Sequence, residues 1–397
     1  MNRRSVVRGI QLIVAITLIT FGWIIYDEVH GKRADLAAGF AHLQPLWLVV
    51  AAACALQEGA CGGLRMFVLG RVLDPKIKLR TAIVSEFVLM FCAGVTPGQA
   101  GAPVSQVAVL VHGGTRFVDV ATAELMTGFC TVTFFLVSAL VIFTLRLTGN
   151  LVVEGGAGTD ALLGLSVVAF GGALVGLVLC AAYPPLLKKL VHAIAIVCRP
   201  VFRAALGVLA RVRRLAPWAK GRLGKEGAIE AKLTQSVDEF HEGFRVYLKR
   251  GKRAYLTAQL ITFVFFSSRF LVAYFILLAL GVSTTPDRFV ALGPPVVQVL
   301  LVQTLLNFAL YLSPTPGASG VAEVGSTAFM SPWVRGAFVL PYLVLWRLLA
   351  LVLCMFVGGL YVFRYLGTDV LEERVKAAEA ERAAHDAARS QRGGEIG

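Results

Sequence analysis

Apolar runs of about 20 residues or more recur along nearly the whole chain, and that is the length an α-helix needs to cross roughly 30 Å of hydrocarbon at 1.5 Å per residue. They fall at 9–26, 44–70, 119–146, 161–183, 254–281 and 337–364. Of the 397 residues 57% are hydrophobic and 16% charged, too few polar groups to cover a water-soluble surface. The expectation is an all-α polytopic membrane protein with about six full spans. The first span follows "MNRRSVVRG" and resembles a signal peptide, but its long apolar core and the lack of a small-residue cleavage site favour a retained helix.

Two further apolar regions, 81–112 and 291–330, do not read as simple spans. Pro97, Gly98 and Gly101 split the first into arms of roughly 15 residues, each about 22 Å long. Neither arm crosses alone, so a re-entrant helical hairpin is expected. In the second region "LSPTPGASGVAEVG" (312–325) sets Pro314, Thr315, Pro316, Gly317 and Gly320 inside the apolar run. The two breaks share a motif: "TPGQAG" (96–101) and "TPGASG" (315–320), with Thr96 and Thr315 219 residues apart. Each follows a span with an internal arginine, Arg65 or Arg269, and precedes a long span. These are the marks of a structural repeat, with units at about 44–146 and 254–364.

Lysine and arginine bias sets the sides, because cytoplasmic segments carry the excess. With both termini cytoplasmic and each hairpin returning to its own side, the inner segments hold Arg3, Arg4, Arg8, Arg71, Lys76, Lys78, Arg80, Arg116 and the sixteen basic residues of 184–253. Outside fall Lys32, Arg33, Arg288 and Arg335. The extra span 161–183 then inverts the second unit, so the hairpins enter from opposite sides. Inverted repeats with broken helices at mid-membrane are the pattern of transporters that expose one site alternately. The connection 184–253 reads as surface-lying helix, with Ile229, Leu233, Val237, Phe240, Phe244 and Leu248 at helical spacing. Residues 1–368 form the membrane domain and 369–397 a charged cytoplasmic tail. Seven cysteines, without a Cys-x-x-Cys pair, read as packing residues, and no cofactor or metal is implied.

Glu58, Arg65, Glu86, Glu124, Arg269, Glu323 and Arg347 fall inside apolar segments. Each costs on the order of 2.5–3.5 kcal/mol or more unless it is paired or wetted. Arg65 and Glu86 either snorkel to a surface or face a cavity. Glu124 lies 26 residues past Gly98 and Arg347 lies 30 past Gly317, so opposite charges stand at comparable depth in the two following spans. Arg347 is expected to compensate Glu323 or Glu124. Leu351 is taken as a lipid-facing position.

The stretches "SPTPGASGVAEVG", "LWRLLALVLCMFVGGL" (345–360) and "VTPGQAGAPVSQVAVLVHGG" (95–114) resemble the transmembrane flippase domain of lysylphosphatidylglycerol synthases, the multiple peptide resistance factors, and its stand-alone relatives. The resemblance spans about 10–365 and rests on a Pro-Thr-Pro-Gly-x-x-Gly-x-x-Glu turn, Trp346-Arg347 in the last span, and Gln106 in the first hairpin. It implies phospholipid translocation across a bacterial cytoplasmic membrane through a cavity lined by two re-entrant hairpins. Aminoacylated-lipid synthesis is not expected, since the soluble transferase domain is lacking.

The leading expectation is therefore a lipid flippase without enzymatic activity, taking an anionic or aminoacylated phospholipid. The pathway set is Arg65, Glu86, Thr96, Pro97, Gly98, Gly101, Gln106, Glu124, Arg269, Pro314, Thr315, Pro316, Gly317, Gly320, Glu323, Trp346 and Arg347. A second copy of the chain and a separate lipid-modifying enzyme are the candidate protein partners, with no nucleic acid. The alternatives are a glycosyltransferase using a polyprenyl-phosphate sugar, with Asp27 and Glu28 as its acids, and a non-transporting partner of a lipid-synthesis enzyme.

Overall fold

A computed structural model describes residues 40–183 and 226–364, with 185 and 189, apart from 42, 97–98, 100, 150, 153–155, 283–289, 292–294, 312 and 314. The expected span 9–26 and the tail 369–397 lie outside the described residues. Helices run α1 Pro45–Gly70, α2 Leu79–Val95, α3 Gly101–His112, α4 Phe117–Leu147, α5 Gly156–Ala182, α6 Glu226–Arg250, α7 Lys252–Ala279, α8 Pro295–Tyr311 and α9 Val321–Met330. The last, α10, covers Gly336–Arg364. A two-residue antiparallel ladder, β1 Leu151–Val152 with β2 Val290–Ala291, joins two loops and is a small departure from the all-α expectation. Among the described residues, α1, α4, α5, α7 and α10 have the length and apolarity to cross a membrane. The protein is an all-α polytopic membrane protein.

The two broken regions fold back on themselves. In the first, Gln106 on α3 meets Glu86 on α2, and near the open end Gly113 faces Thr81, so the two arms run antiparallel. In the second, Gln303 on α8 reaches Met330 on α9, and Leu306 faces Gly325. Arms of 17 and 12 residues in one hairpin and 17 and 10 in the other extend only about 25, 18 and 15 Å, short of a bilayer core.

The most extensive helix packing joins α1 to α7, the first helices of the two sequence repeats. Their contacts fix the direction. Gln44 donates its backbone N–H to Ala279 O at 2.7 Å, Trp47 stacks on Phe275, Glu58 meets Arg269, and Arg65 meets Thr262. As numbers rise along α1 they fall along α7, so the two repeat-related helices are antiparallel.

Glycine lets α2 settle against α1. A Cβ on Gly62 would collide with the Glu86 carboxylate, one on Gly63 with the Ile83 backbone, and one on Gly59 with the Phe87 ring. On its other flank α2 meets Gly358 of α10, whose missing Cβ leaves room for the Phe87 carbonyl. The 226–250 helix packs on α4 and α7 rather than lying free on a surface. Its inward face is Val237, His241 and Tyr247, with Phe244 stacked on Phe129, and the Tyr247 hydroxyl donates to Leu69 O at 2.6 Å. Leu248, expected on the apolar face, is exposed because Tyr247 takes the inward position.

Candidate functional site

The two tips share a motif threonine that bonds its own turn and a left-handed fourth residue. At the first, the Thr96 hydroxyl donates to Cys92 O at 2.7 Å and accepts from the Gly101 N–H at 3.0 Å. A Cβ on Gly101 would press the Thr96 methyl at 2.7 Å, so glycine is needed there. At the second, the Thr315 hydroxyl donates to Ser319 O at 2.8 Å and shares a 2.8 Å bond with Ser313. The fourth residue of each motif, Gln99 or Ala318, is left-handed, with φ of 57° and 54°. They are the positive-φ non-glycine positions among the described residues. A conformation costing roughly 1–3 kcal/mol has thus been kept at both equivalent positions.

Between the tips lies a cavity of about 470 Å³. The second tip rests on the end of α2, where a Cβ on Gly317 would lie 3.6 Å from Gly94 O. Three carboxylates, Glu58, Glu86 and Glu124, and three guanidinium groups, Arg65, Arg269 and Arg347, line the wall together with Gln99, Gly317, Ala318 and Trp346.

Two of the arginines are ion-paired. Arg269 Nη1 donates to Glu58 Oε1 at 2.8 Å, across the α1–α7 contact. Arg347 Nε and Nη2 both donate to Glu323 Oε1, at 2.9 and 2.5 Å, and its Nη1 donates to the tip carbonyl of Gly317 at 2.9 Å. Glu323 Oε2 in turn accepts the Gly320 N–H at 2.6 Å, capping α9 where the helix dipole favours negative charge. Arg347 is followed at once by a π-helical stretch, Leu348–Val352, in a helix otherwise of α and 3₁₀ character. Such turns shift side-chain direction and gather at functional sites.

Arg65 and Glu86 face inward, and neither snorkels. Arg65 is 5% exposed, its Nη1 donates to Thr131 at 3.1 Å and Thr262 at 3.5 Å, and its guanidinium stands 5.0 Å from the Phe265 ring centre. Glu86 Oε2 accepts from Gln106 Nε2 at 2.8 Å. Gln106 stands behind Glu86, off the cavity wall, as Thr96, Gly101, Thr315, Gly320 and Glu323 also do. Those residues shape the tips and hold the wall residues. Pro97, Gly98 and Pro314 lie outside the described residues, and of Pro316 only the backbone, in a 3₁₀ turn, is described. Leu351 is not a lipid-facing position: it lines the cavity and touches Gly317.

Sequence reasoning counted Glu58 among the buried charges but left it out of the pathway, and it missed Thr262. A signal was present. Glu58 and Arg65 are seven residues apart on α1, as Thr262 and Arg269 are on α7, so each helix offers an acceptor and an arginine on one face. Antiparallel packing lets each arginine reach the other helix's acceptor.

Five buried atoms of wall residues have no hydrogen-bond partner among the described residues: Glu58 Oε2, Arg65 Nε, Glu124 Oε2, Thr127 Oγ1 and Asn307 Oδ1. At roughly 1–3 kcal/mol each, leaving them dry would consume about 5–15 kcal/mol, the whole stability of an ordinary domain. The charged side chains on its wall suit the cavity to water or a polar ligand. A family model described as "Lysylphosphatidylglycerol synthase TM region" matches residues 10–358. No curated protein matches the chain.

Proposed function

Because the chain belongs to the lysylphosphatidylglycerol synthase transmembrane family, and so has a membrane-lipid-related role, we propose that it translocates a phospholipid across the bacterial cytoplasmic membrane. The headgroup enters the charged cavity between the two hairpin tips while the acyl chains stay in lipid. The observation that carries this reading is the cavity itself. Six charged side chains line a space between two broken helices, where an apolar lining would be the less costly arrangement for a helix bundle.

Alternating access follows from the repeat. Both hairpins are re-entrant and enter from opposite sides, a reading supported by the antiparallel α1–α7 pair and by the matched left-handed residues Gln99 and Ala318. Rocking of one repeat against the other then exposes the cavity to each leaflet in turn. Arginine is the side chain suited to a phosphate, through its fork of donors. Arg65 and Arg269, reaching across the α1–α7 contact, are placed to feel any movement between the repeats. The chain acts as a transporter, with no covalent step.

The test is reconstitution. Purified protein in phosphatidylcholine vesicles carrying acyl-labelled fluorescent phosphatidylglycerol should let dithionite quench nearly all the label, against about half in protein-free vesicles. Quenching that stops at half, with folded and inserted protein, overturns the reading.

A further inference from the structure

Removing the two ion pairs, Glu58 with Arg269 and Glu323 with Arg347, leaves three charges on the cavity wall: Arg65, Glu86 and Glu124. Arg65 has no ion pair among the described residues, and its buried Nε has no partner. Glu86 is held by Gln106 in the space left by Gly62. Glu124 is different. Its Oε2 is buried without a partner, and one helical turn on, Thr127, 6% exposed, also carries a partnerless hydroxyl. Both residues line the cavity, and Glu124 lies within the fields of Arg65 and Glu86.

We propose that Glu124 takes up one proton with each anionic phospholipid that Arg65 receives, so that lipid movement is coupled to the proton gradient. The inference rests on the translocation reading above. Outside the two ion pairs, Arg65 is the cation whose charge acts on both Glu86 and Glu124. A lipid phosphate that enters the cavity beside the Arg65 guanidinium and its Thr131 partner takes that counter-charge away. Two carboxylates and a phosphate then depend on one guanidinium, and the arrangement is relieved by a proton. Glu124 is the carboxyl that receives it, because Glu58 is held by Arg269, Glu323 by Arg347 and Gly320, and Glu86 by Gln106. Protonated, Glu124 becomes a donor beside Thr127.

Other titratable groups on elements packed against α4 do not offer a better site. On the cavity wall these are Glu58 and Arg65 from α1, Arg269 from α7 and Tyr311 from α8, and Glu86 of α2 lines the same cavity. Off the wall stand His112 on α3, Glu239, His241 and Tyr247 on α6, and Tyr255 on α7. Glu239 is engaged by Arg116, Tyr247 by Leu69 O and Tyr255 by Thr133. Residues 161–180 of α5 contain no charged side chain.

Phosphatidylglycerol carries one negative charge, so one proton per lipid makes transport electroneutral. The experiment uses the full chain in phosphatidylcholine vesicles with labelled phosphatidylglycerol, an internal pH dye, and the membrane potential clamped at zero. With a pH difference of about one unit, wild-type protein should carry roughly one proton per lipid and enrich the label about tenfold in the leaflet on the alkaline side. Glu124→Gln should leave the leaflets equal whatever its absolute rate, and Glu124→Asp should restore the asymmetry. Wild-type lipid movement with no proton flux and equal leaflets overturns the coupling while leaving translocation intact. So does pH-driven asymmetry that survives in Glu124→Gln. If wild-type protein moves no lipid at any pH, the translocation reading fails and the coupling with it.

Discussion

Replacing Arg347 by alanine removes three charge-assisted hydrogen bonds at once, two to Glu323 and one to the Gly317 carbonyl. Breaking a fully buried pair from one side costs about 3–5 kcal/mol, but the Glu323 side chain is 28% exposed and keeps its bond to Gly320 N–H, so roughly 2–3 kcal/mol is expected for the carboxylate. The orphaned Gly317 carbonyl adds about 1 kcal/mol if water reaches it. The loss is local, because these bonds tie α10 to the second tip and to the start of α9. Arg347→Ala should therefore insert at normal abundance, lose hydrogen-exchange protection across 315–325, and move lipid at least about tenfold more slowly, one decade corresponding to about 1.4 kcal/mol. Arg347→Lys should fall between, since one ammonium cannot serve both the carboxylate and the carbonyl. A double-mutant cycle with Glu323→Gln, read by thermal unfolding in detergent, should give a coupling of about 1–3 kcal/mol. Unchanged exchange in the tip together with unchanged lipid movement would refute the assignment of this clasp.

Other consequences are more local. Arg269→Ala leaves Glu58, 1% exposed, uncompensated and should cost about 3–5 kcal/mol, while the double change Arg269→Met with Glu58→Gln should recover much of the unfolding temperature but not lipid movement. Gly62→Ala should displace the Glu86 carboxylate and lower both stability and transport, whereas alanine at Gly128, inside α4 where a Cβ meets nothing within 4 Å, should hold or raise stability, by up to about 1 kcal/mol. Ala318→Gly should be tolerated and Ala318→Val should destabilise by about 1–3 kcal/mol, since a β-branched residue resists the left-handed backbone. Cysteines at Arg116 and Arg335 in a cysteine-free background should label from opposite sides of the membrane with an impermeant reagent. Labelling from one side only would remove the inverted repeat.

Much of the architecture was legible because membrane spans are written in length and apolarity. Helix limits such as Pro45–Gly70 and Lys252–Ala279 fall within two residues of the apolar runs. The tips were legible because proline and glycine break helices in a way that composition records. What stayed hidden was partner choice. A charge inside an apolar run announces that it must be compensated but not by whom, so Arg269 could be found and its bond to Glu58 could not. The same blindness put Arg65 and Glu86 at either a surface or a cavity, since snorkelling depends on which way a helix face turns after packing. The glycines at 59, 62 and 63 that decide this for α2 read in sequence only as small residues. Leu351 went to the wrong environment for a related reason: the π-helical stretch after Arg347 changes the register of the face, and nothing in "LWRLLALV" marks it.

The central claim is that lipid headgroups pass between the two tips, and chemical block of the tips tests it most directly. In a cysteine-free protein reconstituted with labelled phosphatidylglycerol, Gln99→Cys or Ala318→Cys should lose lipid movement on reaction with a small anionic methanethiosulfonate and recover it on reduction. Phe356→Cys, 62% exposed on the outer face of α10 and off the cavity wall, should be indifferent to the same treatment. Full modification of both tip cysteines with lipid movement undiminished would contradict the account.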